Sequence, residues 1–391
     1  MKSLLLHLEC SSCGARHPAD QAQSVCRKCG KSLLARYDLV RGTQAVTKTA
    51  LLSRPSTLWR YRDFLPVVRD ENIVTLGEGF TPLVHLRKFG AKIGLLNLWL
   101  KDEAQNPTGS FKARGLCLAV SKAKEIGITN VFLPSAGNAG SALAAYAAQA
   151  GMEAHVFLPA DTPEIFKREI RTYGAHLVEV NGTISDAAKL MNEMKSQLAG
   201  FDLSTLKEPY RVEGKKTLGY EIAEQLEWTL PDVIVCPTGG GTGIIGMWKA
   251  FDELETLGWI GPERPRMVAV QPVGCAPIVK AWEQGKPESE FWKGSETIAT
   301  GLRVPKAFAD WLILKILRDT DGMAVAVSED EILKALNELA KTGGVLACPE
   351  GAATVAALEH LKRKRFISSG QTVVILNTAS GLIYAEHLQL T

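Results

Sequence analysis

Lys112 stands where a polar, turn-rich stretch, NPTGSFKARG, runs into an apolar periodic segment. A lysine in the first turn of a helix opposes the positive end of the helix dipole, so stability alone argues against it there. A lysine amine is also the group that forms a Schiff base with a carbonyl. Farther along, PTGGGTG closes an apolar strand pattern. Gly239, Gly240, Gly241 and Gly243 leave backbone N–H groups free to close on an anion, Thr242 adds a hydroxyl donor, and the helix pattern beginning near Gly243 adds its positive end. No Gly-Lys-Ser/Thr follows, as a Walker loop would require, and the Gly-x-Gly-x-x-Gly spacing fits only loosely. A third loop, Ser135, Ala136, Gly137 and Asn138, also leaves a strand pattern and opens a helix, which suits a carboxylate. Alone, Asn138 would read as an ordinary helix cap. Together, a phosphate loop, a carboxylate loop and a misplaced amine point to pyridoxal 5'-phosphate with a small amino-acid substrate.

Four of the eight cysteines fall in the first 29 residues as CSSCG (Cys10, Cys13) and CRKCG (Cys26, Cys29). Two such pairs, each closed by a turn-permitting glycine, can place four thiolates tetrahedrally around one zinc ion. A closed four-sulfur site has no open position, so this zinc would be structural. Cys117, Cys236, Cys275 and Cys348 sit in apolar surroundings and read as buried small hydrophobes of a reducing compartment.

Elements must position these groups. Short apolar runs (NVFLPS, AHVFLP, AHLVEV) alternate with helical patterns, and a second series runs through PDVIVCP, PRMVAVQP and QTVVILN. That alternation predicts an α/β fold with parallel sheets and two domains, the loops PSAGN, PTGGGTG and NTASG meeting beyond the carboxyl ends of the strands. The length of 391 residues agrees with two domains and a small appendage. A net charge of +3 excludes a general attraction to nucleic acid, and KRKR (362–365) reads as a solvated helix end. No apolar run reaches membrane-spanning length, and the opening MKSLLLHLEC lacks a signal-peptide cleavage pattern, so the chain is expected to be cytoplasmic.

LGEGFTPL, KDEAQNPTGSFKARG, SAGNAGSALAAYAAQAG, RVEGKKTLGYEIAEQL, PTGGGTGIIGMWKAF and NTASGL, in this order, resemble the threonine synthase family of fold-type II pyridoxal-phosphate enzymes. The resemblance implies two three-layer parallel-sheet domains of tryptophan synthase beta-like architecture behind a zinc ribbon. The ribbon would span 1–40, a smaller domain 87–206, and a larger domain 41–86 with 207–391. Lys112 would carry the cofactor and then shuttle protons among the substrate carbons. Asn138 would meet the ring hydroxyl, 135–138 the substrate carboxylate, 239–243 the cofactor phosphate, and Thr378 the pyridine nitrogen. The implied reaction converts O-phospho-L-homoserine and water to threonine and phosphate. Arg211, Lys215 and Lys216, on what reads as a mobile polar loop, or Arg114, would supply cations for the substrate phosphate. Members of this fold type are commonly homodimers.

Two departures stand out. Ala113 replaces the aspartate of the usual Ser-Phe-Lys-Asp-Arg-Gly, and Ile383 and Tyr384 replace the lysine and aspartate of Gly-Leu-Lys-Asp. They keep two other activities open: an ammonia-lyase acting on threonine or serine, and a cysteate synthase-like β-replacement.

Overall fold

The computed structural model describes residues 3–388. An N-terminal ribbon holds β1 (Leu5–Cys10), β2 (Arg16–His17) and β3 (Leu33–Tyr37). The body follows with β4 (Leu83–His85), β5 (Asn97–Asp102), β6 (Asn130–Pro134), β7 (Glu153–Pro159), β8 (His176–Val180) and β9 (Phe201–Asp202). The chain ends with β10 (Val233–Pro237), β11 (Arg266–Pro272), β12 (Met323–Val327) and β13 (Thr372–Asn377). Among the described residues these form three sheets, in the orders β2-β1-β3, β12-β11-β10-β13-β5-β4 and β8-β7-β6-β9. The ribbon is antiparallel, the four-stranded sheet parallel, and the six-stranded sheet parallel except at the β4–β5 edge.

The six-stranded sheet is apolar on both faces because helices cover both. Successive side chains of a strand point to opposite faces. Accordingly Val233, Val235, Val373 and Ile375 enter one core, while Ile234, Cys236, Val374 and Leu376 enter the other. The segment 87–102 lies with this six-stranded sheet. β5 bonds to β13 along its whole length, and the helix Arg87–Ile93 packs against β5, so both belong with the six-stranded sheet. The four-stranded sheet takes its strands from 130–202.

Helix Lys112–Glu125 crosses helix Arg211–Gln225 at very short range. A Cβ on Gly115 would stand 3.0 Å from the Arg211 carbonyl, and one on Gly214 would overlap the carbonyl of Arg114. Beside this crossing the Arg114 guanidinium is fully buried. Nε donates to Glu103 Oε2 (2.5 Å), Nη1 to Glu221 Oε1 (2.5 Å) and to Thr217 Oγ1 (2.8 Å), and Nη2 to Glu103 Oε1 and Glu221 Oε2 (both 2.7 Å). Lys101 Nζ joins at Glu221 Oε2 (2.8 Å) and also donates to Gln225 and to the Thr81 carbonyl. Burial pushes the Glu221 carboxyl up, but the charges of Arg114 and Lys101 prevail and hold it down to about 2. With the folded value below the unfolded one, this carboxylate's contribution is present above the ordinary carboxylate range and is lost as pH falls towards about 2. Arg114→Met, which strands two buried carboxylates, is expected to lower unfolding free energy by about 3–5 kcal/mol in urea titrations. A loss below about 1 kcal/mol would mean that the cluster contributes no more than a surface pair.

Candidate active site

The ends of β6, β10 and β13 and the turn before Lys112 open on one cavity of about 570 Å³. Lys112 is placed by backbone links to the segment after β13. Phe111 N donates to Thr378 O (2.9 Å), Ser380 N to Gly109 O (2.8 Å), and Ser110 forms a bridge with Ala379. The amine is desolvated and near the Arg211 guanidinium. In that order of size these two effects outweigh Glu350 and lower its pKa to about 8. The opposed helix end of the sequence reading is thus matched by a lysine that gives up its proton readily.

The glycine-rich loop lies opposite, where helix Thr242–Thr256 begins. A Cβ on Gly240 would come within 2.8 Å of the Thr205 methyl, and one on Gly239 within 2.7 Å of the Gly301 carbonyl, so side chains are excluded from the cradle. In the loop 135–138 the Ser135 hydroxyl is already committed: it accepts from Gly137 N (3.0 Å) and Gly140 N (2.9 Å). Ser135 therefore braces the loop, and the donors left open are the amides of Asn138 and Ala139 at the start of helix Asn138–Ala150. Gly137 has φ +126°, and a Cβ there would meet the Phe166 ring at 2.8 Å.

Of the residues expected at the cofactor site, Lys112, Ser135 to Asn138, Arg211, Gly239 to Gly243 and Thr378 line this cavity. Three expected cations do not. Arg114 is consumed in the cluster above. Lys216 Nζ is fully buried between Glu213 (2.7 Å) and Glu253 (2.9 Å). Lys215 is buried with its Nζ 3.8 Å from the centre of the Phe111 ring. The expected mobile loop is instead the first turns of helix Arg211–Gln225, in which Glu213 and Lys216 pair with Lys249 and Glu253 while Lys215 Nζ is buried without a hydrogen-bond partner. Arg211 alone of the four faces the cavity, anchored by Nη1 to the Leu203 carbonyl (2.7 Å).

The structure adds residues that sequence reasoning missed. Lys207, Arg303 and Lys306 also line the cavity. Arg303 pairs with Asp161 (3.1 Å) and Lys306 donates to the Ser289 carbonyl (3.0 Å), whereas Lys207 has no ion-pair partner among the described residues. Glu350 lines the wall too, its Oε1 accepting from Gly301 N (2.7 Å) and from the Tyr384 hydroxyl (3.1 Å). Tyr384 in turn accepts from Asn138 Nδ2 (2.8 Å). Because a carboxylate only accepts, the chain of bonds has one direction: Tyr384 donates to Glu350, Asn138 donates to Tyr384, and Asn138 Oδ1 is left over.

Asn138 Oδ1 and Glu350 Oε2 are buried without protein partners, and the nearest partner of the Thr378 hydroxyl is the Cys348 thiol at 3.7 Å. A side-chain-free anion cradle, a depressed lysine and unpaired polar atoms around one space fit a phosphorylated aromatic aldehyde. The comparisons agree. The sequence model described as "Pyridoxal-phosphate dependent enzyme" matches residues 74–379. The chain is 37% identical over 375 residues to the threonine synthase of Methanosarcina acetivorans, covering 96% of this chain and 91% of the relative. The chain belongs to the threonine synthase family of pyridoxal-phosphate-dependent enzymes. The threonine synthase of Methanocaldococcus jannaschii is 34% identical, with 95% of this chain and 92% of the relative covered. Among solved structures, maize serine racemase superposes with a TM-score of 0.67 at 23% identity, covering 78% of this chain and 91% of the racemase. A fungal L-serine ammonia-lyase from Rhizomucor miehei gives 0.65 at 23%, covering 79% and 98%. At those identities the two structures speak for the fold alone.

Within a threonine synthase family member the two sequence departures become readable. Ala113 is fully buried in the helix and has no access to the cavity. Ile383 packs against Gly109 and beside Phe166 and Tyr384, outside the cavity lining. Tyr384, by contrast, has become the partner of Asn138.

The ribbon cysteines converge as expected, with Cys10 Sγ to Cys29 Sγ 3.3 Å and Cys13 Sγ to Cys26 Sγ 3.7 Å. A tetrahedral zinc with four sulfurs sets these edges at about 3.8 Å. Amides also point at the sulfurs, Cys13 N at Cys10 (3.4 Å) and Lys28 N at Cys26 (3.4 Å). No helix among the described residues is long and apolar enough to cross a membrane.

Only the neutral amine of Lys112 can attack an aldehyde, and its neutral fraction grows as pH rises through about 8. Capture of pyridoxal phosphate by the cofactor-free protein, followed by visible absorbance, is expected to accelerate about tenfold per pH unit below that point and to level off above it. A rate still climbing at the ordinary lysine pKa would show that the amine is not desolvated.

Proposed function

We propose that the protein converts O-phospho-L-homoserine and water to L-threonine and inorganic phosphate. The observation that carries this reading is the end-to-end match to threonine synthases, over 96% of the chain. When bound, pyridoxal phosphate supplies an electron sink for negative charge on the substrate carbons. Lys112 would hold it covalently, the amides of 239–243 and the Thr242 hydroxyl would take its phosphate, and Thr378 and Asn138 would serve its ring nitrogen and ring hydroxyl, the neutral Thr378 hydroxyl favouring an unprotonated nitrogen.

The rest is done by the chain. The amides of Asn138 and Ala139 orient the substrate carboxylate. Arg211 and Lys207, both facing the cavity, attract the substrate phosphate and stabilise it as it leaves the γ-carbon. Lys112 Nζ would move protons between the α-, β- and γ-carbons, and water would add at the β-carbon. The Arg303–Asp161 pair joins the cavity wall to the loop after β7, next to the four-stranded sheet, so closing that sheet over substrate would keep water out until the addition step. The same reading gives the ribbon one structural zinc on Cys10, Cys13, Cys26 and Cys29, and makes the protein a cytoplasmic homodimer.

Purified protein loaded with pyridoxal phosphate and given O-phospho-L-homoserine is expected to release phosphate and threonine in equal amounts. Lys112→Ala should lose both the bound-cofactor absorbance and the turnover. If the loaded protein releases neither product but forms 2-oxo acid from threonine or serine, the ammonia-lyase activity replaces this one; sulfite-dependent turnover of phosphoserine would instead support the cysteate-type reaction.

A further inference from the structure

The ribbon lies outside the stretch 74–379 that the enzyme family model matches, yet it touches the back of the cavity wall. Two serines that flank its second Cys-x-x-Cys pair make the contact. Ser32 Oγ donates to the Leu206 carbonyl (2.8 Å) in a buried bond, and Ser24 Oγ donates to the Lys207 carbonyl (2.7 Å). Both carbonyls belong to the turn between β9 and helix Arg211–Gln225. Leu206 has φ +60°, a left-handed conformation that a bulky side chain disfavours, so the turn depends on outside partners to hold its shape.

The other side of that turn is the site. Ser204, Thr205 and Lys207 line the cavity, and the Thr205 methyl occupies the place a side chain on Gly240 would take. A second link runs in parallel. Tyr37, the last residue of β3, donates to Glu213 (2.9 Å) in the first turn of the helix that presents Arg211.

We propose that the ribbon is a strut for the active site, with Ser24 and Ser32 as positioning residues that hold 204–207 so that Lys207 faces the anionic group of the substrate and Thr205 backs the anion cradle. The identity of that substrate rests on the proposed reaction; the mechanical link does not. A metal in the four-sulfur site would stiffen the strut, because Cys26 and Cys29 lie two and three residues from the two serines.

The test is the Ser24→Ala/Ser32→Ala double variant of the full, cofactor-loaded protein. Loss of two hydrogen bonds is expected to speed amide exchange of the peptide covering 203–209 about tenfold and to raise KM for O-phospho-L-homoserine about five- to tenfold. Meanwhile kcat, zinc content and the cofactor absorbance should stay within twofold. Ser24→Thr alone, which keeps both hydroxyls, should leave KM at the parent value, and Lys207→Ala should raise KM without changing exchange at 203–206. Unchanged exchange and KM in the double variant would overturn the proposal, as would exchange rising throughout the protein with kcat falling and KM unmoved. If the parent protein does not turn over this substrate, binding of inorganic phosphate to the cofactor-loaded protein replaces KM, so failure of the substrate reading and failure of the strut remain distinguishable.

Discussion

The Arg114 guanidinium, two residues beyond Lys112, never reaches the cavity, yet the cavity depends on it. By bonding Glu103 and Glu221 at once, it locks the turn before Lys112, the helix that starts with Lys112, and the helix that starts with Arg211 into one unit. The close crossing at Gly115 and Gly214 leaves those helices little freedom to slide. Lys112 is thereby held against the segment after β13, where burial first and the field of Arg211 second lower its pKa. A buried charge cluster of this kind adds little net stability compared with apolar packing, and its consequence here is placement.

The same logic explains what the sequence could and could not reveal. Strands with continuous apolar runs, such as VIVCP and TVVILN, and loops rich in glycine after them, carry their signal locally, and they were readable. Lys112 was readable because it stood against the helix dipole. The fate of the other cations was not, because it depends on partners far along the chain: Arg114 meets Glu221 across 107 positions. Arg211, Lys215 and Lys216 looked alike in a polar string, and only the packing of three helices separates the one that faces the cavity from the two that are buried. Glu350 and Tyr384 gave no local signal either. The sequence did mark Tyr384 as a departure from the family ending, and that departure proves to be the residue that orients Asn138.

The placing of 87–102 depends on long-range pairing in the same way. The segment 87–102 precedes the reactive lysine and resembles the start of an αβ unit, but β13 has an open edge that β5 fills, and backbone pairing decides where the segment belongs. The ribbon likewise reads from sequence as a separate appendage. In three dimensions its serine hydroxyls and Tyr37 reach the turn and the helix that wall the site, so the appendage and the enzyme body share one framework.

The central claim is that this framework presents the amine of Lys112, and no other lysine, to the cofactor. Borohydride reduction of the loaded protein, followed by peptide mapping, tests it most directly. The account predicts a single reduced pyridoxyl adduct on Lys112, with the neighbouring buried Lys215 unmodified. An adduct on Lys215, Lys207 or any other lysine would contradict it.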